Sequence, residues 1–203
     1  MTPEENFWKW FIQREAEFFK FDSENEAQRE KLFDLLAAEI QKVNRSLTFE
    51  FGGQGSAREL VISAGGIKSA FPAVISLTKA APPLERWKIT AFRPRRDTGH
   101  VIQIGDTVVD PAEVQFTLLD NGERAGIYLF FPGMKNDDVA YQQIGYLLLD
   151  NALGEFEVET KLGSIEMLPS TAPIEGKRYS FRELPALFDR LTARLEKRSG
   201  KPS

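Results

Sequence analysis

The chain has no cysteine among its 203 residues and only one histidine. The absence of cysteine excludes disulfide scaffolds, thiol nucleophiles and zinc or iron–sulfur sites held by thiolates. A single histidine likewise excludes a zinc site built from several imidazoles and a Cys–His catalytic pair. We therefore predict no metal and no cofactor, and the lack of disulfides is consistent with a reducing compartment.

Long apolar runs and an excess of basic residues are also missing. No apolar run approaches the ~18 residues that a membrane-spanning helix requires. The N-terminus, MTPEENFWKW, is acidic and then aromatic, with neither a basic leader nor a small-residue cleavage site. The formal net charge of −4 argues against nucleic acid as a partner, because duplex binding depends on neutralising phosphates. These features predict a soluble, cytoplasmic protein that does not enter membranes.

Common catalytic signatures are absent as well. The chain contains no G-x-S-x-G elbow, and a serine triad would have to use His100 as its base. Catalysis by paired carboxylates stays open, because spacing along the sequence does not identify the pair.

Hydrophobic periodicity predicts helices at both ends of the chain. Three capping-box pairs mark the expected helix starts: Thr2 and Glu5, Ser23 and Glu26, Ser180 and Glu183. Apolar residues recur at helical spacing after each pair. The polar residues 197–203 are expected to form a frayed tail after the last helix.

The middle of the chain reads mainly as strands joined by hairpins. SLTFEFGG and RELVISAGG are predicted to pair across a glycine-rich loop, and RWKITAFRP is a third strand after the short helix FPAVISLTKAAP. Gly105-Asp106 and Asn121-Gly122 are typical hairpin turns. A helix is expected from about residue 136 to 153, followed by a hairpin over EFEVETKLGSIEML with Glu155, Glu157 and Glu159 on one solvated strand face.

Strands that follow one another in hairpins predict a largely antiparallel sheet with helices packed on it, which is an α+β fold. No sequence repeat and no long linker divides the chain. We therefore predict a single α+β domain over residues 1–203, with two N-terminal helices, a hairpin-rich sheet and a C-terminal helix.

The densest cluster of functional side chains is FRPRRDTGH, residues 92–100. The guanidinium groups of Arg93, Arg95 and Arg96 suit a phosphate or carboxylate. His100 could then act as an acid or base, oriented by Asp97 or by Asp106 or Asp110 from the neighbouring strands. The alternative, which is the commoner outcome, is a solvated connection in which Asp97 and nearby glutamates neutralise the arginines.

A second candidate is SAGGIKSAFP, residues 63–72, where two glycines lie between a strand and a helix. Backbone N–H groups in such a segment can bind an anion. The spacing matches neither the dinucleotide-binding fingerprint nor a Walker A loop. We favour a tight connection in which Gly65 and Gly66 adopt positive φ.

The first predicted helix carries an unusually broad apolar arc. Three phenylalanines share its central face: Phe7, Phe11 and Phe18. Most of this arc should be core, but one edge, around Trp8 or Trp10, is expected to remain exposed. Exposed tryptophans next to charged residues are typical of protein contacts, so Trp8 and Trp10 are candidate residues of a partner-binding or self-association surface.

Three segments, FWKWF, ELVISAGG and AAPPLERWKITAFRPR, together resemble a family of bacterial proteins without an established activity. The resemblance covers roughly the first half of the chain and implies a bacterial, cytoplasmic protein. It assigns no catalytic residue. The leading hypothesis is therefore a non-enzymatic protein-interaction or regulatory module. The alternative is an enzyme or binding protein for a small anion held by the loop from Arg93 to His100.

Overall fold

The computed structural model describes residues 1–53, 55–135 and 138–200. The chain divides into two compact units, Met1–Arg93 and Pro94–Ser203, and each unit has its own hydrophobic core. Helices and mostly antiparallel sheets build both units, which confirms the α+β prediction. The expectation of a single domain stays a prediction. None of the described helices is long and apolar enough to cross a membrane.

The first unit combines helices with a sheet of three strands among its described residues. Its elements are α1 (Pro3–Phe19), α2 (Glu26–Ile40), β1 (Thr48–Gly52), β2 (Arg58–Ser63), α3 (Phe71–Lys79) and β3 (Trp87–Ala91). In the strand order β1-β2-β3, β1 is antiparallel to β2, whereas β3 is parallel to β2. The core brings the phenylalanines of α1 together with the fully buried Leu60 and Ile62 of β2.

The structure confirms the predicted start of α1, but α2 starts from a different cap residue than predicted. Thr2 and Glu5 form the predicted capping box. Ser23 lies in a short 3₁₀ turn, and the N-cap of α2 is Asn25, whose Oδ1 accepts a hydrogen bond from the Gln28 N–H at 3.0 Å. The prediction of a Ser23 cap was wrong because asparagine caps helices as well as serine does, and Asn25 lies directly before the first helical residue.

The second unit contains two sheets among its described residues. Its elements are β4 (Ile102–Ile104), β5 (Thr107–Val109), β6 (Gln115–Asp120), β7 (Ala125–Phe131), α4 (Val139–Leu153), α5 (Glu155–Lys161), β8 (Leu162–Pro169), β9 (Tyr179–Ser180) and α6 (Leu184–Ser199). The strands β4 and β5 form a hairpin, and the larger sheet has the order β8-β7-β6-β9. The predicted turn at Gly105-Asp106 is confirmed, and the hairpin predicted at Asn121-Gly122 is present with residues 121–124 between its strands.

The segment EFEVET is a helix, so the predicted hairpin and the solvated face of three glutamates are wrong. Gly154, with φ of +84°, ends α4 and leads directly into α5. Glu155 is buried and Phe156 is exposed, which is the reverse of the expected alternation. Glutamates in the first turn are favourable beside the positive end of the helix dipole. The following strand, β8, pairs in parallel with β7.

The last helix runs further than the sequence suggests. Ser180 and Glu183 form the predicted capping box, which opens a 3₁₀ turn before α6. Residues 197–199 are helical and not frayed, because Lys197 and Arg198 lie in the last turn, where cations are favourable. Residues 201–203 of the expected tail lie outside the described residues.

A common ββαβ arrangement recurs in the two units. In the first, the hairpin β1–β2 is followed by α3 and then by β3, which pairs in parallel with β2. In the second, the hairpin β6–β7 is followed by α4 and α5 and then by β8, which pairs in parallel with β7. The helical crossovers explain the parallel pairs, since strands joined through a helix can lie side by side in the same direction. The sequence carries no visible repeat that reveals this similarity.

Candidate functional site

The predicted loop leaves β3 at Phe92, which has an unusual backbone conformation. Phe92 has φ of +63°, the only positive φ of a non-glycine residue among the described residues. Its N–H donates to the Ile62 carbonyl at 2.8 Å, and its ring centroid lies 4.6 Å from that of Phe71. A left-handed conformation costs an L-residue roughly 1–2 kcal/mol. Backbone pairing and ring packing together hold Phe92 in this conformation.

Arg93 is engaged within the first unit. Its Nε donates to Oε1 of Glu50 on β1 at 2.5 Å. The Arg93 side chain is only partly exposed, and a carboxylate of the same unit already occupies its guanidinium group. The ion pair of Arg93 is therefore of the kind expected for a solvated connection. Its carboxylate partner is Glu50 and not Asp97.

Arg95 is held by two carboxylates and a carbonyl of the second unit. Its guanidinium group donates to both Oδ atoms of Asp189 on α6, to Glu157 on α5 and, through Nε at 3.0 Å, to the Leu153 carbonyl at the end of α4. The hydrogen bond to Asp189 is the largest cause that raises the pKa of Arg95, and the same bond lowers the pKa of Asp189. Arg95 thus fixes the start of the loop to three helices.

Arg96 and His100 line one cavity in the second unit. The backbone N–H of Arg96 donates to the Asn151 carbonyl at 2.7 Å, which places the loop beside α4. The cavity has a volume of about 500 Å³ and is lined by Arg96, Asp97, Thr98, His100, Ile102, Leu148 and Asn151. We call it the loop cavity. Of the four predicted anion-binding residues, Arg96 and His100 line the loop cavity, and Arg93 and Arg95 do not.

Two of the three aspartates expected to orient His100, Asp97 and Asp110, accept hydrogen bonds from backbone groups near them in the chain. Asp97 Oδ1 accepts a hydrogen bond from the Gly99 N–H at 3.0 Å, which closes a local turn. Asp110 Oδ1 accepts one from the Ala112 N–H at 2.8 Å. Within residues 1–53, 55–135 and 138–200, His100 makes no hydrogen bond or ion pair, and its side chain is exposed. His100 therefore lines the cavity without a hydrogen-bond partner, among the described residues, that would fix its tautomer.

Three residues of the cavity have no signal in the sequence around the loop. Ile102 belongs to β4, and Leu148 and Asn151 belong to α4, about fifty residues further along the chain. Leu148 is fully buried and packs into the core of the second unit, so it forms an apolar wall. Sequence reasoning missed these residues because a residue becomes part of the cavity only when β4 and α4 pack beside the loop.

The glycine-rich candidate at residues 63–72 has the features of a tight connection. Gly65 and Gly66 have φ of +58° and +79°, as predicted. The Gly65 N–H donates to Ser63 Oγ at 2.9 Å. A 3₁₀ turn separates the glycines from α3, so their amides do not form the N-terminus of that helix.

The aromatic helix α1 buries the tryptophan that was expected at its exposed edge. Trp8 is 3 % exposed, and its Nε1–H donates to the Leu77 carbonyl of α3 at 2.8 Å. The exposure predicted for Trp8 is wrong, because α3 covers that side of α1. Trp10 is half-buried, with the Arg14 guanidinium 5.8 Å from its ring centroid, while Ile12 is exposed. A partner-binding role for Trp10 stays a prediction.

The part of the chain that the structure describes contains no group of three or more histidine, aspartate or glutamate residues able to hold a metal ion. Comparisons of this chain with family models, with curated proteins and with solved structures give no match.

Proposed function

We propose that this protein binds a small organic anion in the loop cavity. The observation that carries the proposal is that Arg96 and His100, singled out by the sequence, line the same cavity as the apolar side chains of Ile102 and Leu148. Ligand sites are typically concavities of roughly 300–1,000 Å³ with apolar walls and a few polar groups. The loop cavity fits this description.

The polar lining defines the chemical class of ligand. The Arg96 guanidinium is a planar donor that matches a carboxylate or phosphate. The Thr98 hydroxyl and the Asn151 amide can donate further hydrogen bonds, and Asp97 can accept one from a ligand hydroxyl or amine. Because Ile102 contributes apolar surface, the ligand we expect carries a short hydrocarbon part next to its anionic group.

The loop is preorganised for binding. Arg95 is held at Asp189, Glu157 and Leu153, and the Arg96 N–H is bonded to the Asn151 carbonyl. Affinity increases when a ligand does not have to order the loop that receives it. The ion pairs of Arg95 therefore support the proposal, because they place the next residues of the loop beside α4.

We propose binding and not catalysis. In the described part of the chain, no carboxylate contacts the His100 ring to orient it as an acid or base. Binding needs no oriented acid or base, whereas general acid–base catalysis uses a side chain positioned within hydrogen-bond reach of the proton that moves.

Thermal unfolding with succinate or inorganic phosphate as the probe tests the proposal. Each titration is matched by sodium chloride at the same ionic strength, because screening alone changes surface electrostatics. A ligand at 100 times its Kd stabilises the folded state by about 2.7 kcal/mol, so we expect a saturable rise in Tm of several degrees. Arg96→Ala should remove this rise.

Arg190→Ala is the matched control. Arg190 lies on α6, outside the lining of the loop cavity, and its Nε donates to the Ala186 carbonyl. This variant loses the same charge and should keep the rise in Tm. Equal responses of the wild type and Arg96→Ala, or a response that sodium chloride reproduces, would overturn the proposal.

A further inference from the structure

The outer side of α4 carries an exposed surface without charged groups. Its exposed residues are Val139, Gln142, Gln143, Tyr146 and Leu147, which we call the α4 face. Val139, Tyr146 and Leu147 are 63 %, 47 % and 40 % exposed. No charged residue occurs between Asp138 and Asp150, although 28 % of the chain is charged.

The other long helices have charged outer surfaces. The exposed residues of α6 include Arg190, Arg194 and Lys197, and those of α2 include Glu30 and Lys31. Protein interfaces are depleted of charged residues at their centres and enriched in tyrosine. The α4 face therefore has the composition of an interface and differs from the solvated surfaces of its neighbours.

The core of the second unit does not use this face. The opposite side of α4 supplies the fully buried Ile144, Leu148 and Leu149 to that core. Residues three, four and seven positions apart along a helix lie on the same side, so Val139, Gln143 and Tyr146 form one continuous stripe. The stripe remains accessible after the unit has folded.

We propose that the α4 face is the contact between two copies of this chain, related by a two-fold axis. In such a dimer the same patch occurs on both subunits and must tolerate its own image. Like charges that meet across an axis repel, and the α4 face has none. The amides of Gln142 and Gln143 and the hydroxyl of Tyr146 each donate and accept hydrogen bonds, so a copy of the face can satisfy them.

The size of the face sets the expected affinity. A standard stable interface buries ~800 Å² on each partner and uses about 20–30 residues a side. The α4 face has five exposed residues, fewer than a standard interface uses, so the dimer should be weak, with a Kd on the order of micromolar. A strongly acidic or basic partner is a poorer match, because the α4 face offers it no opposite charge.

Sedimentation velocity of the full chain, from about 1 to 100 µM, tests this proposal around the expected micromolar Kd. We expect the wild type to shift from monomer to dimer across this range. Leu147→Glu should raise the Kd at least tenfold, because it places two carboxylates at the contact. Val139→Glu should have the same effect while preserving the fold, since an acidic residue at the start of a helix is favourable.

Val108→Glu is the control for adding a charge to an exposed apolar position elsewhere. Val108 lies on β5 and is 56 % exposed. Its variant should dimerise like the wild type. A wild type that stays monomeric at about 100 µM, or a Val108→Glu variant that dissociates as much as Leu147→Glu, would overturn the proposal.

Discussion

Asp189 accepts two hydrogen bonds from the guanidinium group of Arg95, at 3.0 Å from Nη1 and 2.7 Å from Nη2. Arg95 also donates to Glu157 and to the Leu153 carbonyl, so one side chain contacts α4, α5 and α6. Arg95 directly precedes Arg96, which lines the loop cavity. The pair of Arg95 and Asp189 thus connects the stability of the second unit to the geometry of the proposed site.

Replacing Arg95 should destabilise the protein moderately. Because the Arg95 side chain is about one-third exposed, we expect Arg95→Ala to lower the free energy of unfolding by about 1 kcal/mol, measured by urea unfolding. Arg95→Lys should recover only part of this loss, since an ammonium group does not match the two-fold geometry of a carboxylate. An unchanged urea midpoint for Arg95→Ala would show that these bonds do not hold the loop.

The ion pair of Arg95 and Asp189 predicts that the free energy of unfolding depends on pH in the acid range. The hydrogen bond from Arg95 lowers the pKa of Asp189 in the folded state below its ordinary value of 3.8. The stabilisation is therefore fully present above pH 3.8 and is lost as the pH falls through the lower folded-state pKa. The difference in unfolding free energy between the wild type and Arg95→Ala should shrink from neutral pH to about pH 2. A difference that stays constant over this range contradicts the assignment.

At position 92, the glycine variant should be more stable than the alanine variant, which reverses the usual order of stability of these two residues. Both Phe92→Ala and Phe92→Gly remove the ring packed on Phe71, at a cost of about 3–5 kcal/mol. Only glycine also relaxes the positive φ, so Phe92→Gly should be more stable than Phe92→Ala by about 1 kcal/mol. Chemical unfolding of the two variants measures this difference. An alanine variant at least as stable as the glycine variant would show that Phe92 is not strained.

The two tryptophans of α1 should differ strongly in their effect on stability. Trp8→Ala removes a buried side chain and should cost about 3–5 kcal/mol, whereas half-buried Trp10→Ala should cost less than half as much. Trp8→Phe keeps most of the packing but leaves the Leu77 carbonyl without its donor, at a cost of about 1 kcal/mol. Equal losses for the two alanine variants would place Trp8 outside the core.

Several local signals in the sequence predicted local structure, although the helix cap expected at Ser23 is formed by Asn25. The capping box of Thr2 and Glu5 and the hairpin at Asn121-Gly122 depend on hydrogen bonds between residues close in the chain, and both are present. The segment EFEVET alternates like a strand, yet Gly154 redirects the chain into a helix in which Glu155 is buried. Tertiary packing decided this element, and periodicity alone does not contain that information.

The sequence identified the loop and its chemical groups, but not all of the residues that line the candidate site or pair with its arginines. The density of arginines and the single histidine identified the loop, and Arg96 and His100 do share a cavity. The carboxylates that pair with Arg93 and Arg95 belong to Glu50, Glu157 and Asp189, all distant from the loop in sequence. The burial of Trp8 likewise depends on α3, because the width of an apolar arc does not reveal how many elements cover a helix.

The most direct test of the proposed function uses the fact that His100 is the only histidine. In protein without a histidine tag, the imidazole region of a ¹H–¹³C NMR spectrum therefore reports on this one side chain. Titration with succinate should move the His100 signal along a saturable curve, and Arg96→Ala should weaken the fitted affinity by at least about tenfold, as expected for the loss of a charge-assisted hydrogen bond. A wild-type signal that moves no further with succinate or phosphate than with sodium chloride of equal ionic strength would contradict the binding of an anion in the loop cavity.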